Sequence, residues 1–342
     1  MVLALVLCLV VIAGCAQTVP REGLAPWAEL TPDVNLVWPP PPDVARIKYL
    51  GRVAGARDFR VEKSFFRRFG ELITGVSDDW LVRPTSVAAR DDFLAVADPG
   101  ARALFLFDRA GGRFERITHA EHEELVSPVS VALDDANRVY LADSYLRQIY
   151  VYDRAGVLQQ VWGTDVLERP VALAFDERRR WLYVADTAGH RILAYDANGE
   201  LVLSFGERGT AVGEFNWPSN LCLDRDGHVY VVDALNFRVQ VFDADGRFLS
   251  VFGHHGDGSG DFARPKGVAV DSQGHVYVAD ALFDAVQIFD RDGQFLLAFG
   301  QQGVGPGEFS LPVGLAIDRH DHIYVADSYN QRVQRFAFLG AR

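Results

Sequence analysis

The feature that most constrains this chain is a register repeated six times. A proline followed three residues later by Val or Leu recurs at Pro84, Pro128, Pro170, Pro218, Pro265 and Pro312. The last two intervals are both 47 residues. About fifteen residues after each proline an aspartate closes an apolar run, at Asp98, Asp143, Asp186, Asp233, Asp280 and Asp327. Ten residues further on, five copies place a second Asp (Asp108, Asp153, Asp196, Asp243, Asp290), and the sixth has Ala337. A repeat of this length marks a unit that buries its apolar faces only against copies of itself.

One copy shows what the unit is. Between Arg264 and Gly300, Gly267–Val270, His275–Ala279, Val286–Phe289 and Phe295–Phe299 are four short β-rich runs. Asp290-Arg291-Asp292-Gly293 supplies the tight reversal between the last two, because Gly accepts positive φ. The runs are apolar on nearly every position instead of alternating, which suits a sheet covered on both faces. Four strands per 40 to 50 residues, repeated six times, predicts an all-β, six-bladed β-propeller of four-stranded blades.

Phe262-Ala263-Arg264-Pro265-Lys266-Gly267-Val268-Ala269-Val270-Asp271, with Val278-Ala279-Asp280 and Gln287-Ile288-Phe289, closely resembles the NHL repeat. The resemblance covers roughly residues 84 to 338. It implies a propeller closed by an N-terminal strand, since the sixth copy has only three strands of its own. Ile47–Val53 is the preferred closing segment and Phe65–Phe69 its rival. Phe65, Phe66, Phe69, Leu72 and Ile73 also share one helical face, so residues 63–74 are expected to form a short amphipathic helix inserted before blade one.

The N-terminus reads as an address. Met1–Gly14 is an apolar run of signal-peptide length, and Ile12-Ala13-Gly14-Cys15 resembles the bacterial lipoprotein box. The expected layout is a signal peptide over 1–14, a lipidated Cys15 with a proline-rich tether over 15–45, and the propeller over 46–342. The resemblance implies a membrane contact through the lipid, and Ala16 points to the outer membrane, facing the periplasm. Pro39–Pro42 favours a stiff extended tether. Trp27 and Trp38 in that stretch would either pack on the domain or sit at the membrane interface.

The formal net charge is −12, which repels phosphate backbones and argues against a nucleic-acid partner. Cys222 is the one cysteine of the folded body, and its neighbours Leu221 and Leu223 make it a small buried residue of an inner strand.

Candidate chemistry gathers in the loops that a propeller would bring to its upper face, around 119–126, 207–217, 254–263 and 301–311. The six strand-closing aspartates are expected to cap strand ends, pairing with loop amides or with arginines four residues on (Arg102, Arg147) or five on (Arg191, Arg238, Arg332). Blade five breaks the pattern: Asp280 lacks its arginine and Asp284 adds a carboxylate, so a cation or cationic ligand is expected there first. His119, His122, His190, His254, His255 and Asp257 complete the upper-face binding candidates. His119-x-x-His122 and His254-His255-x-Asp257 have metal-compatible donors, although no metal or other cofactor is assigned. His228, His275 and His322 share one slot before the second strand and are expected to be structural, on the lower face.

Related lyase propellers hold zinc with histidines near the start of the innermost strands. This chain has none at Thr85-Ser86, Val129-Ser130, Val171-Ala172, Ser219-Asn220, Lys266-Gly267 or Val313-Gly314. Lactonase-type propellers use acidic and amide ligands, of which only Asn220 is a candidate. The resulting expectation is a binding platform for an envelope protein or a small molecule. A metal-dependent lyase or hydrolase on the same face is the alternative.

Overall fold

The computed structural model describes residues 34–58, 79–163 and 165–340. These form six antiparallel blades around a central channel. Blade one is Ser86–Arg90, Phe93–Asp98, Ala103–Asp108 and Arg113–Ile117. Blades two to five repeat it from innermost strands Pro128–Leu133, Pro170–Asp176, Pro218–Leu223 and Pro265–Val270. Blade six takes Pro312–Ile317, His322–Asp327 and Arg332–Phe338, and Ile47–Val53 pairs antiparallel with the last of these. Ile47 lies opposite Phe338 and Val53 opposite Val333. The innermost strand of blade six packs on that of blade one, which completes the ring.

The folded body begins upstream of Ile47. Val37–Trp38 pairs with Ile47–Lys48 as a short fifth strand of blade six. The Trp38 ring packs 5.8 Å from both Phe299 and Phe336, so this tryptophan packs on the domain. The expected helix over 63–74, the rival closing segment at Phe65–Phe69, the signal segment and Cys15 all lie outside the described residues. Among the described residues the one helical turn is a 3-10 turn at Ala234–Asn236.

The core lies between blades. Second and third strands such as Val276–Asp280 and Ala285–Phe289 are buried along their whole length, as expected for sheets covered on both faces. Three successive seams carry the same aromatic trio: Phe205–Phe215–Phe242, Phe252–Phe262–Phe289 and Phe299–Phe309–Phe336. The ring centroids of the middle trio are 5.0 to 6.4 Å apart, within the range where tilted aromatic pairs attract. Each fully buried ring contributes about 1.5–3 kcal/mol of transfer free energy.

Around the channel the innermost strands approach closely, and two devices close the gap. Ser86 and Ser130 accept hydrogen bonds from the amides of Val131 (3.1 Å) and Leu173 (3.0 Å) across two blade seams. Elsewhere the seam takes glycine: a Cβ on Gly267 would lie 2.4 Å from the Val313 carbonyl, and one on Gly314 2.5 Å from that of Thr85. From this level downward the channel is a cavity of about 730 Å³, lined at its lower end by Arg90, Glu177, Arg178, Arg225 and Arg319.

Candidate functional site

The upper face is the end where innermost strands begin and second strands finish. Its geometry is set by the strand-closing aspartates, all of which are buried. Each accepts hydrogen bonds from amides just before the innermost strand of its own blade. Asp98 holds Val82 (2.6 Å) and Arg83 (2.9 Å), Asp186 holds Arg169 (2.7 Å), and Asp280 holds Ala263 (2.8 Å) and Arg264 (2.9 Å). Asp143, Asp233 and Asp327 do the same for Ser127, Asn216 and Ser310. A carboxylate receiving several amide bonds is well compensated for its burial. Arg191, Arg238 and Arg332 pair with the aspartate of their own blade at 3.1, 2.8 and 2.7 Å.

The expected pairing of Arg102 and Arg147 does not occur. Both residues are exposed and take left-handed backbone conformations, φ 48° and 59°, and no ion pair joins them to Asp98 or Asp143 among the described residues. In these two blades the loop amides of Ala101 and Leu146 complete the aspartate shell instead.

The other candidates are spread over the rim. His119 Nε2 lies 3.8 Å from Glu124, and His122 is exposed at the tip of the same hairpin. His190 Nδ1 is 3.1 Å from the Phe215 carbonyl, with its ring edge-on to Trp217. His254 Nε2 pairs with Asp261 at 2.6 Å, His255 packs on Phe237 with centroids 4.4 Å apart, and Asp257 is exposed. Asp280 and Asp284 are close enough to influence one another. Asp284 accepts the Leu311 amide at 2.7 Å, yet burial, with Asp327 and Asp280 adding to it, pushes its carboxyl above the usual range.

On the lower face the three repeated histidines are structural. His228, His275 and His322 sit 2.8 to 2.9 Å from Asp224, Asp271 and Asp318 within their own turns. A set of polar latches then links each blade to the next. Going round, these are Arg154–Asp108 (2.8 Å), Arg180–Asp135 (2.8 Å), Arg179–Asp245 (2.7 Å), Arg291–Asp226 (4.0 Å), Ser272–Asp321 (2.6 Å) and Arg319–Asp91 (2.6 Å). Arg90 and Glu177 pair as well, joining blades one and three.

Two features of the upper mouth escape sequence reading. The position just before the repeat proline carries Arg83, Arg169 and Arg264 in blades one, three and five. All three are exposed, and among the described residues none has a carboxylate partner. Arg83 lies 5.2 Å from the Tyr329 ring and Arg169 5.8 Å from that of Trp217. Around them Tyr145, Trp217, Leu235, Leu282 and Tyr329 are exposed large side chains. Four of these occupy one slot, two residues after the strand-closing aspartate.

Comparison with known proteins agrees with this architecture. Residues 262–284 and 309–336 match the NHL repeat. Residues 82–253, half of the chain, match the SMP-30/Gluconolactonase/LRE-like region. The chain belongs to the SMP-30/gluconolactonase/LRE-like family. The family match covers blades one to four, and the NHL matches fall in the two blades that follow. Among curated proteins, Protein brain tumor of Drosophila melanogaster is 26% identical over 145 residues, which is 41% of this chain but only 14% of that protein's length. A protein of unknown function from Bacteroides thetaiotaomicron superposes with a TM-score of 0.60 at 20% identity, covering 76% of this chain and 70% of that one. A streptogramin B lyase does so at 0.57 and 10% identity (75% and 94%), and the hydrazine synthase of Kuenenia stuttgartiensis at 0.54 and 12% (75% and 95%). At such identities these structures share the fold alone.

The lactonase-type metal set expected of an SMP-30/gluconolactonase-like chain does not fit the residues present. At the channel level of Asn220 the other innermost strands offer Ser86, Ser130, Ala172, Gly267 and Gly314, with no carboxylate. Asn220 Oδ1 faces the Val268 amide at 3.5 Å, the same seam-bridging position as Ser86 and Ser130. Among the described residues the one group of three metal-capable side chains within ligand distance is Asp224, Asp226 and His228, in the lower turn of blade four. There Asp224 is already engaged by the amides of Asp226 and His228 and by the His228 ring. Cys222 is a free thiol that burial pushes well above its ordinary pKa, consistent with a packing role.

Proposed function

We propose that this propeller is an interaction platform of the bacterial cell envelope, held to the outer membrane by an acyl group on Cys15 and capturing its ligand on the upper face. The observation that carries the reading is the contrast between a lower face whose charged groups are latched blade to blade and an upper mouth that exposes aromatic and aliphatic side chains beside arginines with no carboxylate partner among the described residues. Isolated exposed apolar residues are ordinary, but a ring of them around one opening has the composition of a binding surface. Tyr, Trp and Arg are also the side chains that anchor interfaces most often. The NHL repeats and the match to Protein brain tumor support the general class of a protein-binding propeller. In this reading His254, His255 and Asp257 are polar rim contacts, and the blades supply rigidity while the loops supply specificity.

Photo-crosslinking in intact cells tests it. A crosslinker placed at Tyr145, Leu235, Leu282 or Tyr329 should capture one common partner, identified by mass spectrometry, while placement at Asp245 or Arg291 on the lower face should not. Capture from the lower face alone would overturn the platform's orientation. About one tightly held metal per chain, lost when His254 or Asp280 is replaced, would favour the metal-dependent lyase or hydrolase instead.

A further inference from the structure

The guanidinium groups of this protein fall into two populations. One group, which includes Arg154, Arg180, Arg191, Arg238, Arg319 and Arg332, pairs with carboxylates. Like Arg102, Arg147 and Arg225, the trio Arg83, Arg169 and Arg264 has no carboxylate partner among the described residues, although the chain has 46 acidic residues against 34 basic ones and carboxylates are plentiful. These three hold one register position in alternate blades of a closed ring, so they surround the channel mouth with threefold spacing. Their backbone amides are pinned by Asp98, Asp186 and Asp280 at 2.7 to 2.9 Å, which fixes where each side chain departs. Two residues beyond Arg264, Lys266 lies half-buried at the next level of the same strand, also without an ion-pair partner among the described residues. Burial and the nearby Arg264 hold its ammonium below the ordinary lysine range, with Asp280 opposing them.

Cations placed together in a ring repel one another, and an anionic ligand that inserts among them relieves that repulsion. The apolar ring of Tyr145, Trp217, Leu235, Leu282 and Tyr329 shows what else the ligand must carry. A long polyanion fits poorly, because beyond the mouth it would cross Glu207, Glu214, Asp257, Asp261 and Glu308 in the outer loops that join blades three to six, whereas a short segment confined to the mouth avoids them. The geometry points to an acidic peptide segment of a partner protein as the occupant. Its carboxylates would meet Arg83, Arg169 and Arg264, and its neighbouring aromatic or aliphatic side chains would rest on the apolar ring. This assignment rests on the upper face being the binding face.

The test uses the full chain and a labelled peptide in which Glu alternates with Phe and Leu, read by fluorescence anisotropy. The same peptide with Gln for Glu and a single-stranded oligonucleotide of equal charge serve as comparators. The Glu peptide should bind at least about tenfold more tightly than the Gln peptide, and the preference should shrink as salt rises. The triple variant Arg83→Gln, Arg169→Gln, Arg264→Gln should lose about tenfold in affinity for the Glu peptide, the size expected when three partly exposed charge pairs are removed. Arg225→Gln at the lower channel mouth should change it less than about twofold. Equal binding of both peptides, no binding of either, or unchanged binding by the triple variant would overturn the assignment. So would an oligonucleotide that binds as tightly with the same dependence on the three arginines. A partner crosslinked at Tyr145 or Leu282 despite such a result would leave the platform standing and remove only the acidic segment. Absence of any upper-face crosslink would remove the platform itself.

Discussion

The two ends of the channel treat charge in opposite ways. At the lower end the Asp108 carboxyl receives Arg154 and Arg113 at 2.8 and 3.1 Å, and despite the opposing effect of burial its pKa is drawn down to about 2. At the upper end Asp284 has no cation, and burial pushes its carboxyl up. Arginines differ as well: below they are latched from blade to blade, whereas above Arg191, Arg238 and Arg332 pair with the aspartates of their own blades and Arg83, Arg169 and Arg264 have no carboxylate partner among the described residues. Polar ties join blades at both ends: the charged latches lie on the lower face, while above Thr85 and Thr187 donate to the Val129 and Pro218 carbonyls and Asp284 accepts the Leu311 amide. The exposed side chains of Arg83, Tyr145, Leu282 and Tyr329 take no part in these ties and can be set by what they bind.

Four variants would break or sharpen this contrast. The largest effect is expected at Asp271, whose carboxylate accepts from the amides of Gln273 and His275, the His275 ring and the Tyr277 hydroxyl. Asp271→Ala orphans these donors and should cost about 2–4 kcal/mol in urea unfolding. Asp108→Asn should cost about 1–2 kcal/mol at neutral pH. Because the folded pKa of Asp108 is depressed, its contribution is present above the unfolded carboxyl pKa and is lost as pH falls toward about 2, so wild type and variant should converge there. Asp284→Asn should act oppositely, raising Tm at about pH 7 and leaving it unchanged at about pH 3. A raised folded pKa favours folding below the unfolded value and disfavours it as the group ionises, and the Asn still accepts from the Leu311 amide. Smallest of all, the triple Arg83, Arg169, Arg264→Gln variant should unfold within about 0.5 kcal/mol of wild type. A larger loss would mean those arginines serve the fold.

The fold was legible because it repeats. Prolines at a common offset and aspartates at strand ends recur often enough that single exceptions such as Ala337 do not blur the register. The structural role of His228, His275 and His322 could be read for the same reason, since three copies of one slot point to one turn. The upper mouth was not legible, because its defining position varies from copy to copy: Arg83, Ser127, Arg169, Trp217, Arg264, Leu311. Only closing the ring turns three scattered arginines into neighbours of one opening. The pairing expected of Arg102 and Arg147 did not form: their slot, four residues after the aspartate, is left-handed in every blade, and the arginines that pair stand one residue later. His254 misled for a related reason: its acidic partner is Asp261, across the loop, and not the sequence-adjacent Asp257.

The decisive property of this propeller is which end of its channel binds. The direct measurement is the yield of the Leu282 photo-crosslink in cells carrying Arg83→Glu, Arg169→Glu and Arg264→Glu together, set against cells carrying the lower-face reversal Arg225→Glu. Loss of the adduct with the upper reversal and its retention with the lower one is the predicted result. An adduct that survives the upper reversal undiminished would contradict it.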